Sequence, residues 1–303
     1  MKCIIIAAGY ATRLYPLTEN FPKPLLKVGK KAILDWLVDD LAETAETVET
    51  AEASAAAQAK GPADELAGSA DEAAGLATGA APLIEEFVVV TNHRFYPHFL
   101  KWAESKPQKI TVLDDHTETN ETRLGAVRDI WYAVEQLHID EDCAVMAGDN
   151  VLDFSLQGFL RYAKESGTSC IMCHEENSLE ALRKTGVITF DENHLITSYE
   201  EKPQEPKGNH AVPPFYYYRA EDLKRIPEAL EHGCNFDAPG NFAVWLSAHS
   251  PMHAYVMPGS GTTSATCKAT STCRKFSPNQ TENGTENRPL SQNISWPLRT
   301  WCV

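Results

Sequence analysis

Met1-Lys2-Cys3-Ile4-Ile5-Ile6-Ala7-Ala8-Gly9-Tyr10-Ala11-Thr12-Arg13-Leu14-Tyr15-Pro16-Leu17-Thr18, with Pro22-Lys23-Pro24-Leu25 close behind, decides how the rest of the chain is read. Lys2–Ala8 is a short apolar run ending at a glycine, the pattern of a strand buried on both faces of a parallel sheet. A glycine directly after such a strand lets backbone N–H groups approach an anion, and Arg13 and Lys23 add positive charge beside it. Phosphate binding suits this combination, with Ala7, Ala8 and Gly9 lining the loop. The run lacks the cleavage site of a signal peptide, and no apolar stretch nears the roughly 20 residues that span a bilayer. A cytoplasmic protein with no membrane partner is expected.

Outward from this run, Ile33, Leu34, Leu37, Val38 and Leu41 recur at helical spacing. From Ala42 to Pro82 the pattern stops: the stretch is Ala-rich, holds no aromatic residue, and sets eight acidic residues against Lys60 alone. It has little surface to bury and reads as a surface insertion, part helix and part disordered. Strands resume at Phe87–Val90, Ile110–Leu113 and Ala144–Ala147, separated by helices through Phe95–Trp102 and Leu124–Leu137. A helix at Leu156–Ala163 precedes strands at Ser169–Cys173, around Val187 and Ile196, and at Phe215–Tyr218. A helix at Phe242–Leu246 and a strand at Ala254–Met257 follow. This alternation predicts an α/β fold: a Rossmann-like, mostly parallel sheet with helices on both faces. The expected organisation is one domain over 1–258, interrupted by the insertion at 42–82, and a separate tail over 259–303.

The 303-residue chain is 43% hydrophobic and 23% charged, which suits a globular protein with a sizeable core. Its formal net charge is −15, of which the insertion supplies −7 (eight acidic residues less one lysine). Nucleic acid needs a basic face and is excluded as a partner. Cys3 and Cys143 fall in apolar strand patterns, and Cys170 and Cys173 form a C-x-x-C inside another. With no second pair at zinc spacing, these thiols read as core residues ahead of a metal or redox pair. His93 reads as a loop histidine, and Trp102, Trp245 and Tyr216–Tyr218 as core or rim aromatics.

Three more stretches carry chemistry. Ala147-Gly148-Asp149-Asn150 ends a strand, and open α/β sheets bind ligands beyond the carboxyl ends of their strands. Asn120-Glu121-Thr122-Arg123-Leu124-Gly125-Ala126 opens a helix, either as a plain start or as a ligand-facing N-terminus. Gly186-Val187-Ile188 is followed by Glu200-Glu201-Lys202-Pro203. Together with T-R-L-x-P-L-T and P-K-P-L, these stretches resemble the signature of sugar-phosphate nucleotidylyltransferases, from Met1 to about Gly259 apart from the insertion.

The resemblance implies a nucleoside triphosphate and a sugar-1-phosphate as partners, Mg²⁺ as cofactor, and an NDP-sugar and pyrophosphate as products. It places Ala7, Ala8 and Gly9 beside the nucleotide, Arg13 and Lys23 on its phosphates, and Gly125 near the base. Asp149 would be a ligand to Mg²⁺; Gly186, Glu201 and Lys202 would hold the sugar and its phosphate. Arg13, Lys23 and Lys202 are then the catalytic cations, because phosphoryl-type transfer depends on positioning and charge. Two departures stand out. Tyr10 occupies a position where the family has a small residue and would narrow the loop, and Ala211–Tyr216 replaces a sugar contact. Cytidylyl transfer to a non-sugar phosphate such as phosphocholine, and a nucleotide-binding protein with impaired catalysis, stay open beside this reading, as does self-association.

After Gly259 the composition turns to Ser, Thr, Asn and Cys, and no Asp follows Asp237. The resemblance calls for a strand and then R/W-Y-D-I-G, whose Asp would be the second metal ligand. The strand at Ala254–Met257 is present and the motif is not. Reading the codons of Gly259–Ala265 from their third bases permits Lys/Gln/Glu, Arg or Trp, Tyr, Asp, Ile and Gly in that order. The following codons to Thr270 permit Asn or Asp, Leu, Gln, Ser and Tyr. A one-register frameshift near Gly259 is therefore expected; an intact frame in the resequenced gene refutes it. The sequons at Asn279, Asn283 and Asn293 are then accidental, and the tail, with little apolar surface to bury, is expected to be disordered.

Overall fold

The structure, a computed structural model, describes residues 1–43, 82–152 and 154–258. Residues 44–81 of the expected insertion and the whole expected tail from Gly259 lie outside the described residues.

The chain opens with β1 (Lys2–Ile6), a small hairpin of β2 (Lys27–Val28) and β3 (Lys31–Ala32), and helix α1 (Ile33–Ala42). Next come β4 (Glu86–Thr91), α2 (Tyr96–Ala103), β5 (Ile110–Asp114), α3 (Ala126–Gln136) and β6 (Cys143–Ala147). These strands build the parallel half of the sheet in the order β5-β4-β1-β6. The second half adds α4 (Gln157–Ser166), β7 (Ser169–Glu175), β8 (Gly186–Phe190), β9 (Ile196–Glu201), β10 (His210–Val212) and β11 (Phe215–Tyr218), then α5 (Gly240–Ser247) and β12 (Met252–Val256). There β11 runs antiparallel to β6 and β7, and β12 runs parallel to β7. Beyond β7 the order continues β10-β8-β9. Pro213 and Pro214 separate β10 from β11, which both pair with β7; proline has no N–H to give a ladder.

Side chains on a strand alternate between faces, so an unbroken apolar strand feeds two cores. Cys3 and Ile5 join a core with Leu34, Phe99 and Phe159, which belong to α1, α2 and α4. Ile4 joins the opposite core with Val127, Ile130, Phe242 and Leu246, which belong to α3 and α5. Phe87, Val88, Val89 and Val90 of β4 are all 2% exposed or less. Burying each such side chain contributes about 1.5–3 kcal/mol. The same alternation removes the metal or redox reading of Cys170 and Cys173. They are three apart on one strand, and each faces a different core as a free thiol. Burial pushes the Cys173 thiol up to about 12. No helix among the described residues is long and apolar enough to cross a membrane.

Candidate active site

The carboxyl ends of β1, β4, β5 and β6 share one edge of the sheet, and the loop after β1 is tied down there from three sides. Ala7 N donates to Val90 O (2.9 Å), Asn92 Nδ2 to Ala8 O (2.9 Å), and Thr18 Oγ1 to Ala11 O (2.8 Å). Ala11 is left-handed at φ 46°. Gly9 is exposed, and a Cβ built on it would meet nothing within 4 Å. The loop therefore presents bare backbone to open space. Arg13, in a short helical turn at Thr12–Leu14, is exposed and makes no ion pair with the described residues. Tyr10 does not narrow the loop as expected: its ring is 3% exposed, packs 6.1 Å from Phe95, and sends its hydroxyl to Thr117 O (3.2 Å). It buttresses the loop from beneath because an aromatic ring with one polar end fits a core edge.

Pro22 and Pro24 shape the short turn Lys23–Leu25, and Pro24 and Leu25 are buried. This anchoring aims Lys23 at Asp149: Nζ donates to Oδ2 at 2.6 Å, with the two side chains only 12% and 15% exposed. Asn150 Nδ2 donates to the other carboxylate oxygen (3.1 Å). Gly148 allows β6 to close on β1; a Cβ there would lie 2.9 Å from Ile5 Cγ2, and its N–H donates to Ile6 O (3.2 Å). The motifs around Gly9, Lys23 and Asp149, far apart in sequence, thus meet at one place. At a partly buried pair, removing either partner leaves an uncompensated charge.

A second group forms around Glu201. Gly186 starts β8 and pairs with Glu201 at the end of β9. A Cβ on Gly186 would come within 2.8 Å of Tyr199 and 3.1 Å of Glu201 Oε2. A Cβ on Gly240, at the first turn of α5, would lie 2.4 Å from the same oxygen. Two glycines thus make room for one carboxylate. Burial raises the pKa of Glu201, opposed by the charge of Lys202. The Lys202 ammonium stands 3.9 Å away on an exposed side chain, and its backbone is left-handed at φ 49°.

Gly125 joins this second group through the segment leading to α5. It sits at φ 93°, and a Cβ there would be 2.6 Å from both the ring and the carbonyl of Phe236. The first N–H groups of α3 are occupied: Ala126 N donates to Asp237 O (3.3 Å) and Val127 N to Phe236 O (3.0 Å). Arg123 holds Asp237 Oδ1 with Nε and Nη2 (3.0 and 2.7 Å), and Arg128 lies 3.9 Å over the Phe236 ring. Asn92, Thr117 and the segment 236–240 were not singled out from sequence. Only Asp237-Ala238-Pro239-Gly240, a turn leading into a helix, carries a signal that marks one of them.

Residues 2–64 and 76–238 match the model of the nucleotidyl transferase family, so the chain belongs to that family and is a nucleotidyltransferase. A UTP–glucose-1-phosphate uridylyltransferase of Haloferax volcanii is 24% identical over 80% of this chain and 78% of its own length. A mannose-1-phosphate guanylyltransferase catalytic subunit beta of Dictyostelium discoideum is 24% identical over 76% of this chain. A glucose-1-phosphate adenylyltransferase of Fervidobacterium nodosum is 22% identical over 84% of it. The chain spans about half the length of the last two, 54% and 56%. A Bacillus anthracis protein described as a glucose-1-phosphate thymidylyltransferase, crystallised with sucrose, shares the fold (TM-score 0.61, 17% identity, 86% of this chain and 88% of that one). So does a UDP-glucose pyrophosphorylase complexed with UDP-glucose (TM-score 0.58, 18% identity, 85% and 90%).

Proposed function

We propose that this chain transfers a nucleotidyl group from a nucleoside triphosphate to a sugar-1-phosphate, forming an NDP-sugar and releasing pyrophosphate. The relatives differ in base and in sugar but have this reaction in common by name. The Lys23–Asp149 contact beside the open face of Gly9 carries the reading, because it sets an ammonium for phosphate against a carboxylate for a cation. The donor set fits Mg²⁺, which takes one or two carboxylates and fills its shell with water and substrate phosphate oxygens. Asp149, with Asn150 beside it, would hold the ion. When bound, Mg²⁺ offsets the charge on the triphosphate and polarises the α-phosphate.

The chain's own residues then divide the work. Backbone at Ala7, Ala8 and Gly9 receives the phosphates, and Arg13 and Lys23 neutralise the departing pyrophosphate, Lys23 exchanging Asp149 for phosphate. Glu201, held in a recess between Gly186 and Gly240, accepts hydroxyls of the sugar. Lys202 orients the sugar phosphate, whose oxygen is already anionic and needs no general base. Gly125 reaches the base side by the close packing of Phe236. We also propose one domain over 1–258 interrupted at 42–82, with residues 259–303 outside it.

A second reading rests on one observation: the chain has no Asp after Asp237, so a second metal carboxylate from the last strand is missing. The chain as written would then bind nucleotide and react slowly. Pyrophosphate release with Mg²⁺, across the nucleoside triphosphates and a panel of sugar-1-phosphates plus phosphocholine, tests both. Turnover on a sugar-1-phosphate that Asp149→Ala abolishes supports the transferase. Turnover only after the reading frame is restored beyond Gly259 supports the impaired form. Turnover on phosphocholine alone refutes the sugar assignment.

A further inference from the structure

A separate group of donors stands on the same edge of the sheet but outside the Lys23–Asp149 contact. His93 follows the end of β4, Asp114 ends β5, and His116 lies two residues beyond. One donor atom from each lies within 4.8 Å of the other two. The backbone holding them is fixed. Thr91 pairs with Asp114, Asp115 N donates to Thr91 O (2.9 Å), and His93 N donates to Thr117 O (2.9 Å).

The Asp114 carboxylate divides its two oxygens. Oδ1 accepts the His116 backbone N–H (2.8 Å), which turns the chain back on itself. Oδ2 faces His93 Nδ1 at 2.6 Å and His116 Nδ1 at 3.7 Å. The Asp114 side chain is 11% exposed, while the imidazoles are 57% and 75% exposed, so an ion reaches the group from solvent. Asp115 and Glu118 stand near enough to add negative charge around His93.

We propose that His93, Asp114 and His116 bind a first-row transition metal ion such as Zn²⁺, Co²⁺ or Ni²⁺ through two imidazole nitrogens and one carboxylate oxygen. Imidazole suits these ions, whereas Mg²⁺ takes oxygen donors, so this site and Asp149 select different cations. Tetrahedral bonds of about 2.0–2.2 Å need donor atoms a little over 3 Å apart. The His93–Asp114 separation opens slightly to meet that distance, and His116 closes by less than its present gap. Bound metal would also pin Thr117, whose carbonyl accepts both His93 N and the Tyr10 hydroxyl beneath the Gly9 loop.

The test is titration of the full chain, stripped with chelator, with Co²⁺, following its visible d–d bands, and then with Zn²⁺ in competition. One equivalent is expected, displaced by Zn²⁺. His93→Ala and His116→Ala, both exposed positions, should each weaken it at least about tenfold while leaving the metal-free melting temperature unchanged. Asp149→Asn should leave it intact, so failure of the transferase reading does not touch this result. Binding unchanged in both histidine variants, a thiolate-to-cobalt charge-transfer band, loss in Asp149→Asn, or no binding short of millimolar Co²⁺ overturns the proposal.

Discussion

Gly240→Ala separates what the sugar half of the site does from what holds the fold together. A methyl group at Gly240 would sit 2.4 Å from Glu201 Oε2, 3.1 Å from Tyr199 Oη and 3.3 Å from Glu201 Cδ. Ordinary contact needs about 3.4 Å or more, so the carboxylate must retreat by about 1 Å. The atom displaced is the end of a flexible side chain, and position 240 is the first residue of α5, where alanine is tolerated. The melting temperature should therefore hardly change. Misplacing a positioning group by 1 Å can cost on the order of 10²-fold, or about 2.7 kcal/mol at about 1.36 per decade. Steady-state pyrophosphate release should show kcat/KM for the sugar-1-phosphate falling by about that factor, with nucleoside triphosphate affinity in calorimetry unchanged. Gly9→Ala is the counterpart: its Cβ meets no protein atom within 4 Å, so it should spare the fold and weaken nucleotide binding. If Gly240→Ala keeps kcat/KM for the sugar-1-phosphate within twofold of wild type, Glu201 is not a substrate ligand and the second group of residues has been misassigned.

Asp149→Asn should lower kcat by at least about 10²-fold, roughly 2.7 kcal/mol, with nucleotide still bound; a Mg²⁺ titration of turnover is the check, and an unaltered kcat counts against Asp149 as the metal carboxylate. Burial raises the Glu201 pKa, so KM for the sugar-1-phosphate should rise on acidification from a pH above the usual carboxylate range. Glu201→Gln should have a high KM with no such pH limb. Asp129 is 3% exposed with Oδ1 unpartnered, and burial, followed by the nearby Asp115 charge, raises its pKa well above the usual range. The folded state then keeps a proton that the unfolded state has lost, so this group's stabilisation falls as pH rises through that window. Asp129→Asn should melt higher than wild type at pH 8 by the equivalent of about 1–3 kcal/mol, with the gap closing near pH 4. Residues 65–75 fall between the two spans that match the family, and deleting them should leave kcat and both KM values within twofold in the same assay.

Local pattern and non-local contact divide what could be read in advance. The run at Lys2–Ile6 was legible because burial on both faces leaves no polar alternation, and the α1 stripe because its spacing is helical. The strand at Phe215–Tyr218 appears where expected. The helix expected from Leu124 begins at Ala126, after Gly125 at φ 93°, and its partner Phe236 lies 111 residues further on. Tyr10 departs from the expectation for the same reason: its hydroxyl acceptor, Thr117 O, is 107 residues away. The turn before α5 is legible in Asp237–Gly240, but the need for glycine at 240 is not, because it comes from Glu201 and Tyr199 on β9. Cys170 and Cys173 could have been settled from sequence, since an odd offset on a strand sends two side chains to opposite faces.

The described residues on either side of the segment between α1 and β4 are fastened to the rest of the fold. On the upstream flank Gln157, 1% exposed, donates from Nε2 to the carbonyls of Asp40, Leu41 and Glu43 (3.0, 3.3 and 3.2 Å). Asp40 Oδ2 in return accepts Leu156 N (2.8 Å), so the C-terminus of α1 and the start of α4 satisfy each other. The downstream flank is held as well, with Ile84 3% exposed and Glu85 N donating to Met1 O (2.9 Å). Glu86 then starts β4; burial acts to raise the pKa of its carboxylate, but the Thr111 hydroxyl (2.7 Å), Lys109 (2.9 Å) and Lys2 (3.2 Å) overcome that and pull it down to about 2. Met1, Lys2 and Glu86 mark the amino ends of parallel strands, whereas Gly9, Asn92 and Asp149 follow the carboxyl ends of β1, β4 and β6. The downstream flank therefore joins β4 at the amino ends of the parallel strands, opposite the edge that carries Gly9, Asn92 and Asp149.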